Sequence, residues 1–355
     1  MRLKFHWSLS QVGDPFRRAR GTAAAMSGLL SFDAQLAFCR RAEACGIDSV
    51  LMAFGFTRPD PLALSVALGR ETERIKFMVA CRTGIFSPTF FVQQVNTASA
   101  LIGGRIHINM VTGHTPEELR YYGDFLGHDE RYERTDEFLT VCRAFWRREG
   151  EVNFEGRHYR VERGRLNTPF VSDERAGPVI YLGGNSAQAE ALAAKHADCL
   201  WMFPAAPERM RERVRGLVER GVEVGLLVSL ISRPTHAEAR RAASELLARV
   251  GGEAREFHAA FASKSDSVGF RSNYDLGARP DGEWLTLTLW TGAIPYLGAP
   301  AIALVGSAEE VAESLVEYAR LGVTQFLFMG WPDLEEMTFF GEEVRPLVGR
   351  MSDDE

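Results

Sequence analysis

Along the chain one pattern returns: apolar residues at helical spacing, a glycine or other small residue, then a short apolar run of strand character. Ser31 to Cys45 has the helical period, Gly46 supplies the stop, and Ile47 to Ala53 is the strand that follows. Pro61 to Arg70 precedes Ile75 to Ala80, Thr89 to Leu101 precedes Arg105 to Val111, and Ala187 to His196 precedes Cys199 to Phe203. Pro207 to Arg220 leads through Gly221 into Val222 to Ile231, and Glu309 to Leu321 leads through Gly322 into Val323 to Met329. With Leu3 to Trp7 and Val179 to Leu182 the total is about eight strands separated by helices, the count of an α/β (β/α)8 TIM barrel. A doubly wound open sheet is the competing layout, disfavoured because no glycine-rich dinucleotide fingerprint follows the first strand.

Three stretches break the repeat, and in a barrel such insertions are where function is built. Gly13 to Gly28 is a basic, small-residue loop after strand one. Glu151 to Val161 alternates around Gly156 like a small hairpin, with Arg163 to Pro178 as an extended connection, so that 151–178 forms the second insertion. Val250 to Pro300 is a long loop between strands seven and eight; within it Ser263 to Gly282 has the polar, glycine-containing composition of a mobile lid or of a plain surface loop. Residues 1–350 read as one barrel domain and 351–355 as an acidic, frayed tail.

Composition narrows the function classes. At 355 residues, 46% hydrophobic and 25% charged, the chain has material for a large core. Its net charge of -6 gives no reason to expect nucleic acid or an anionic membrane as partner. The 5 cysteines are scattered without CxxC spacing and odd in number, which argues for reduced thiols and a cytoplasmic protein. The start, MRLKFHWSLSQ, alternates like a strand and lacks an apolar signal core, and no run approaches the ~18 apolar residues of a membrane span. A bound metal is not expected, since the histidines lack HxH or HExxH spacing and no carboxylate cluster accompanies them. There is no GxSxG elbow, and no lysine lies on a predicted strand end to form a Schiff base.

Candidate chemistry gathers between Gly103 and Tyr132. The strand Arg105 to Val111 stops at Thr112-Gly113-His114 and delivers Asn109, Thr112 and His114 to one rim. His128 and Tyr132 stand four apart at the start of an amphipathic helix, which stacks imidazole and phenol on one face. The bland reading is a satisfied strand end beside two surface side chains. Strand five ends in Gly183-Gly184-Asn185-Ser186, a turn whose backbone N–H groups suit a phosphate, or a tight turn with Ser186 as a helix cap. Arg82, at the end of strand three, needs an anionic or carbonyl partner if buried. Arg58 stands in a Pro-rich loop that favours a solvated side chain, and His6 in strand one is either a proton donor or a packed ring.

These residues resemble a known family. GRIHINMVTG, HDERYERTDEF, IYLGGNSAQAEALAAKHAD, KSDSVGFRS, LTLWTG and ALVGSAEEVAESLVEYARLGVTQFLFMGWPDLEE are similar, in order and over nearly the whole chain, to the bacterial luciferase-like flavin-dependent monooxygenases, alkanesulfonate branch. Members of that family are TIM barrels with insertions, mostly dimers or tetramers. They take reduced FMN from a separate NAD(P)H:flavin reductase and react it with O2 to a flavin C4a-peroxide that attacks a small-molecule substrate. The resemblance implies a two-component monooxygenase and a homodimer or homotetramer. It also implies that Ala53, Cys81, Asn109 and Thr112 lie near the isoalloxazine, and that His128, Tyr132, Gly183, Gly184, Asn185 and Ser186 hold the ribityl and phosphate end. His114, Arg82 and His6 are then the catalytic candidates.

The substrate side departs from that pattern. Leu227 and Ser229 stand where sulfonate enzymes have an arginine and a histidine, Leu297 takes another arginine position, Trp331 replaces a tyrosine, and Arg58 replaces a cysteine. With Trp7 these form the expected substrate pocket. A buried anion without a cationic partner costs several kcal/mol, so a neutral or apolar organic substrate is expected rather than a sulfonate. The rival readings are a deazaflavin (F420) dependent hydride-transfer enzyme of the same superfamily, a non-catalytic flavin-binding barrel, and an unrelated barrel enzyme such as a phosphosugar isomerase.

Overall fold

The computed structural model describes residues 2–9, 31–278 and 282–353. The basic loop expected at 13–28 lies outside them. In chain order the elements begin β1 (Lys4–Ser8), α1 (Phe32–Ala44), β2 (Ser49–Met52), α2 (Pro61–Arg70), β3 (Lys76–Arg82), α3 (Pro88–Leu101) and β4 (Ile106–Val111). There follow α4 (Pro116–Tyr121), α5 (His128–Arg147), the hairpin β5 (Val152–Glu155) and β6 (Arg160–Gly164), β7 (Ile180–Gly183), α6 (Ala187–His196), β8 (Cys199–Met202), α7 (Pro207–Val218) and β9 (Glu223–Ser232). The last part holds α8 (His236–Val250), α9 (Gly252–Lys264), α10 (Val268–Gly277), β10 (Leu289–Trp290), α11 (Ile294–Leu297), β11 (Ala303–Gly306), α12 (Ala308–Arg320), β12 (Val323–Gly330), α13 (Asp333–Phe339) and α14 (Arg345–Asp353).

Eight strands pair in parallel in the order β1, β2, β3, β4, β7, β8, β9, β12, and β12 returns to β1, closing a (β/α)8 barrel. The helices start where the sequence supplies caps. Ser87 and Asp60 cap α3 and α2 ahead of a proline, and Ser307 with Glu310 forms a reciprocal capping box on α12. Alternation along each strand divides the core in two. Phe5, Trp7, Val50, Phe77, Val79, Ile106, Ile108, Phe326 and Phe328 face outward into the layer shared with the helices. Met78, Tyr181, Cys199, Trp201 and Leu327 face inward and fill the barrel. All five cysteines are buried and free. Among the described residues no helix is long and apolar enough to cross a membrane.

The segment expected as a long loop at 250–300 is largely helical. The sequences of α9 and α10 carry buried and anchoring residues at helical spacing, Ser267 caps α10, and Asn273 Nδ2 donates to Ala299 O at 2.9 Å. Beyond it the run Ala303–Gly306 is a ninth parallel strand, paired with the end of β9 at Ser229–Ser232. β9 holds β12 on one edge and β8 followed by β11 on the other, because Ser229 and Leu230 pair with both β12 and β11. The tail expected to fray at 351–355 is instead helical through Asp353 as the end of α14.

Candidate active site

The lower barrel interior is a satisfied polar chain. Ser49 Oγ donates to His6 Nδ1 at 2.7 Å and His6 Nε2 donates to Gln325 Oε1 at 2.9 Å. Gln325 Nε2 donates to Glu223 Oε2 at 2.5 Å, which orients the amide and so fixes the imidazole tautomer. Burial lowers His6 to about 4, so the ring is neutral at ordinary pH. Above it the rings of His107, Tyr181 and Trp201 stack in sequence, with centroids 5.9 and 5.4 Å apart, and His6 meets Tyr181 and Trp201 edge-on. A Cβ at Gly225 would stand 2.2 Å from Trp201 Cζ3, so the close approach of the indole requires glycine there. Trp201 Nε1 and His107 Nδ1 are buried without a partner among the described residues.

At the carboxyl ends of the strands the sequence-predicted residues converge. Asn109 points inward beside Ala80 and is buried, and its Oδ1 has no partner among the described residues. Ala53, in line with Leu51 of β2, is half-buried at the same mouth. Thr112 O accepts from Arg131 Nε at 3.1 Å; Arg131, buried on α5, also donates to Leu126 O and to Asp266 Oδ2 at 2.6 Å. Arg131 thereby ties the end of β4 to the turn between α9 and α10. That turn closes over the rim: Asp266 N donates to His114 O at 2.9 Å, Lys264 pairs with Glu117 at 2.8 Å, and Phe270 stacks on His114 with ring centres 4.4 Å apart. Burial lowers the His114 pKa, and its Nδ1 lies 3.0 Å from Thr115 Oγ1.

One turn into α5 lies the other end of the site. The rings of His128 and Tyr132 are 5.1 Å apart, and a Cβ on Gly184 would stand 3.6 Å from the Tyr132 hydroxyl. His128 Nδ1 and Asp129 Oδ1 are 2.8 Å apart, and Asp129 Oδ1 accepts from Gln188 Nε2 on α6 at 3.4 Å, so the start of α5 abuts the start of α6. Ser186 caps α6 through Ala189 N at 3.2 Å. Gly183 is exposed, and a Cβ there would meet nothing among the described residues within 4 Å, which leaves room beside the N–H groups at the α6 N-terminus. Asn185 lies under the start of α10, its Cβ 3.3 Å from where a Cβ on Gly269 would stand.

Several candidates are placed elsewhere. Cys81 faces outward into the helix layer, one residue out of phase with the mouth, and burial pushes its thiol up. Trp7 is also outward: it packs on Phe328 and its Nε1 donates to Asp333 Oδ1 at 3.0 Å, outside the barrel. His6 is a packed, fully bonded ring below the mouth. Ser229 is sealed against Pro300 O at 3.1 Å, while Leu297 and Trp331 belong to a separate apolar cluster under α8 and β11. Leu227 does line the barrel, and Arg58 stays in the loop after β2, its Cδ 3.8 Å from where a Cβ on Gly55 would stand. The six expected pocket residues are therefore not one surface. Conversely, Arg131, Asp266, Tyr181 and Trp201 were missed, although strand alternation through Val179–Leu182 and Cys199–Met202 marks Tyr181 and Trp201 as inward.

The chain matches known proteins. A family model described as luciferase-like monooxygenase matches residues 4–325. The chain belongs to the luciferase-like monooxygenase family. Among solved structures it is similar to a riboflavin lyase with modified FMN and substrate riboflavin, at 19% identity and TM-score 0.79, over 99% of this chain and 92% of that one. It is similar to the EDTA monooxygenase of Chelativorans sp. BNC1, at 20% identity and TM-score 0.76, over 99% and 95%. It is also similar to an F420-dependent secondary alcohol dehydrogenase, at 17% identity and TM-score 0.68, over 98% and 99%. These likenesses support the fold.

The residues present fit a flavin mononucleotide. Unpartnered Asn109 Oδ1 and Trp201 Nε1 suit the polar edge of an isoalloxazine, and the open space at Gly183 beside Gly184, Tyr132 and His128 suits its phosphate.

Proposed function

We propose that this chain is the oxygenating component of a two-component monooxygenase. It takes reduced FMN from a separate NAD(P)H:flavin reductase and uses O2 to oxygenate a small neutral or apolar organic substrate. The observation that carries the reading is the meeting of His128, Tyr132 and the Gly183-Gly184 turn on the same rim as the unpartnered Asn109 amide. Bound reduced FMN supplies the electrons that activate O2. The protein's own part is to bind, orient and keep dry. The N–H groups at the start of α6, with the Tyr132 hydroxyl and the His128 ring, would hold its phosphate. The stack of Tyr181 and Trp201 closes the barrel from below, and α10 covers the rim through Phe270, so water is held off from both sides. His114, kept neutral by burial, is the group assigned to the proton the reaction must move; Nε2 is the nitrogen that Thr115 does not engage.

The test is a titration with FMN and with reduced FMN under nitrogen, followed by oxygen-electrode measurements on the loaded protein. Binding of reduced FMN at micromolar concentration, with O2 uptake that changes in rate on adding organic substrates, supports the reading. Binding of F420 and anaerobic hydride transfer would replace it with the dehydrogenase, and flavin binding without any change in O2 uptake would replace it with a carrier.

A further inference from the structure

Arg82 is the last residue of β3, inward-facing by alternation with Met78 and Ala80, and only 7% exposed. Its Nη2 donates to Glu118 Oε1 at 3.0 Å, while Nε and Nη1 are buried with no partner among the described residues. The guanidinium carbon lies 4.9 Å from the centre of the Phe54 ring and 5.7 Å from that of Tyr122, and those rings are 5.2 Å apart. A guanidinium withdrawn from water with two nitrogens unsatisfied is costly, and such a group at a barrel mouth calls for a ligand acceptor.

We propose that Arg82 is the polar anchor for substrate, and that it selects a neutral carbonyl compound, a ketone, amide or lactam, over a carboxylate or sulfonate. This rests on the monooxygenase reading above and adds the substrate class. The selection follows from charge. Glu118, itself 13% exposed, already matches the single positive charge of Arg82. A second anion at the same guanidinium would stand against the Glu118 carboxylate, with Phe54 and Tyr122 keeping out the water that would screen the repulsion. A carbonyl oxygen satisfies the vacant N–H groups without adding charge, and the two aromatic rings offer flat apolar walls to the ring or chain that bears it. Leu227, inward-facing across the barrel, brings no cation to offset an acid.

The FMN-loaded protein is screened by saturation-transfer NMR against small ring compounds in matched triplets: the ketone or lactam, the carboxylate and the bare hydrocarbon of each skeleton. The carbonyl members bind best to the unaltered protein. Arg82→Met weakens them by about tenfold with FMN affinity unchanged, and Glu118→Gln, which frees the charge of Arg82, raises carboxylate affinity by about tenfold. The assignment is overturned if carboxylates bind the unaltered protein best, if neither variant changes the ranking, or if no carbonyl member binds. Failure of the unaltered protein to bind FMN counts against the monooxygenase reading instead, and the triplets are then ranked on the flavin-free protein.

Discussion

Gly183 and Gly184 are neighbours with opposite jobs, and two methyl groups separate them. At Gly184 a Cβ would lie 2.5 Å from Ala189 Cβ, about 1 Å inside ordinary carbon contact. Ala189 sits in the first turn of α6 and its Cβ is fixed to the backbone, so the helix itself must move. Overpacking of that kind costs ~1–3 kcal/mol, and Gly184→Ala is expected to lose that much stability. At Gly183 a Cβ meets nothing among the described residues within 4 Å, and the backbone there is outside the left-handed region, so Gly183→Ala is unstrained. Its smaller unfolded-state entropy makes the protein about 0.5 kcal/mol more stable. The same methyl, however, fills the space assigned to the flavin phosphate. FMN affinity should therefore fall about ten- to a hundredfold, or ~1.4–2.8 kcal/mol, in a protein that is no less stable. Fluorescence-quenching titration of FMN gives the affinity and scanning calorimetry the stability. A Gly183→Ala protein that binds FMN as tightly as the parent refutes the placement of the phosphate.

Other consequences can be checked with single variants. Gly225→Ala drives a methyl to within 2.3 Å of two Trp201 ring carbons and should cost ~1–3 kcal/mol, with a shift in tryptophan emission as the stack on Tyr181 opens. Arg131→Met leaves Asp266 and the carbonyls of Thr112 and Leu126 without their donor; a loss of roughly 3 kcal/mol and faster tryptic cleavage after Lys264 are expected. His6, lowered from 6.5 to about 4 by burial, binds its proton less well folded than unfolded. It therefore contributes up to about 3 kcal/mol that is present above pH 6.5 and lost as pH falls toward 4. His6→Asn should flatten chemical-denaturation stability across that window by about one proton's worth of slope. His114→Phe keeps an aromatic ring on Phe270 and should retain flavin affinity while O2-coupled turnover falls; unchanged turnover would remove His114 from the chemistry.

The amino-acid sequence alone carried the barrel and the meeting of His128 and Tyr132 with the Gly183-Gly184 turn. Apolar period, glycine stops and helix caps are local signals, and they marked the same eight strands that close here, as well as the hairpin after α5. The four-residue spacing of His128 and Tyr132 likewise survives folding, because a helix preserves it. Alternation splits each strand into two faces, but for β1 and β3 which of them turns inward was decided by closure. Alternation with period two separates Arg82 from Cys81 and His6 from Trp7, so a shift of one residue moves a side chain from the mouth to the helix layer. The partners of Arg131 and Arg82 were likewise set by tertiary structure, since Asp266 lies 135 residues away and Glu118 36 residues away. No local pattern encodes a pairing across that distance; the closed cylinder brings those groups together and leaves two Arg82 nitrogens buried with no partner among the described residues.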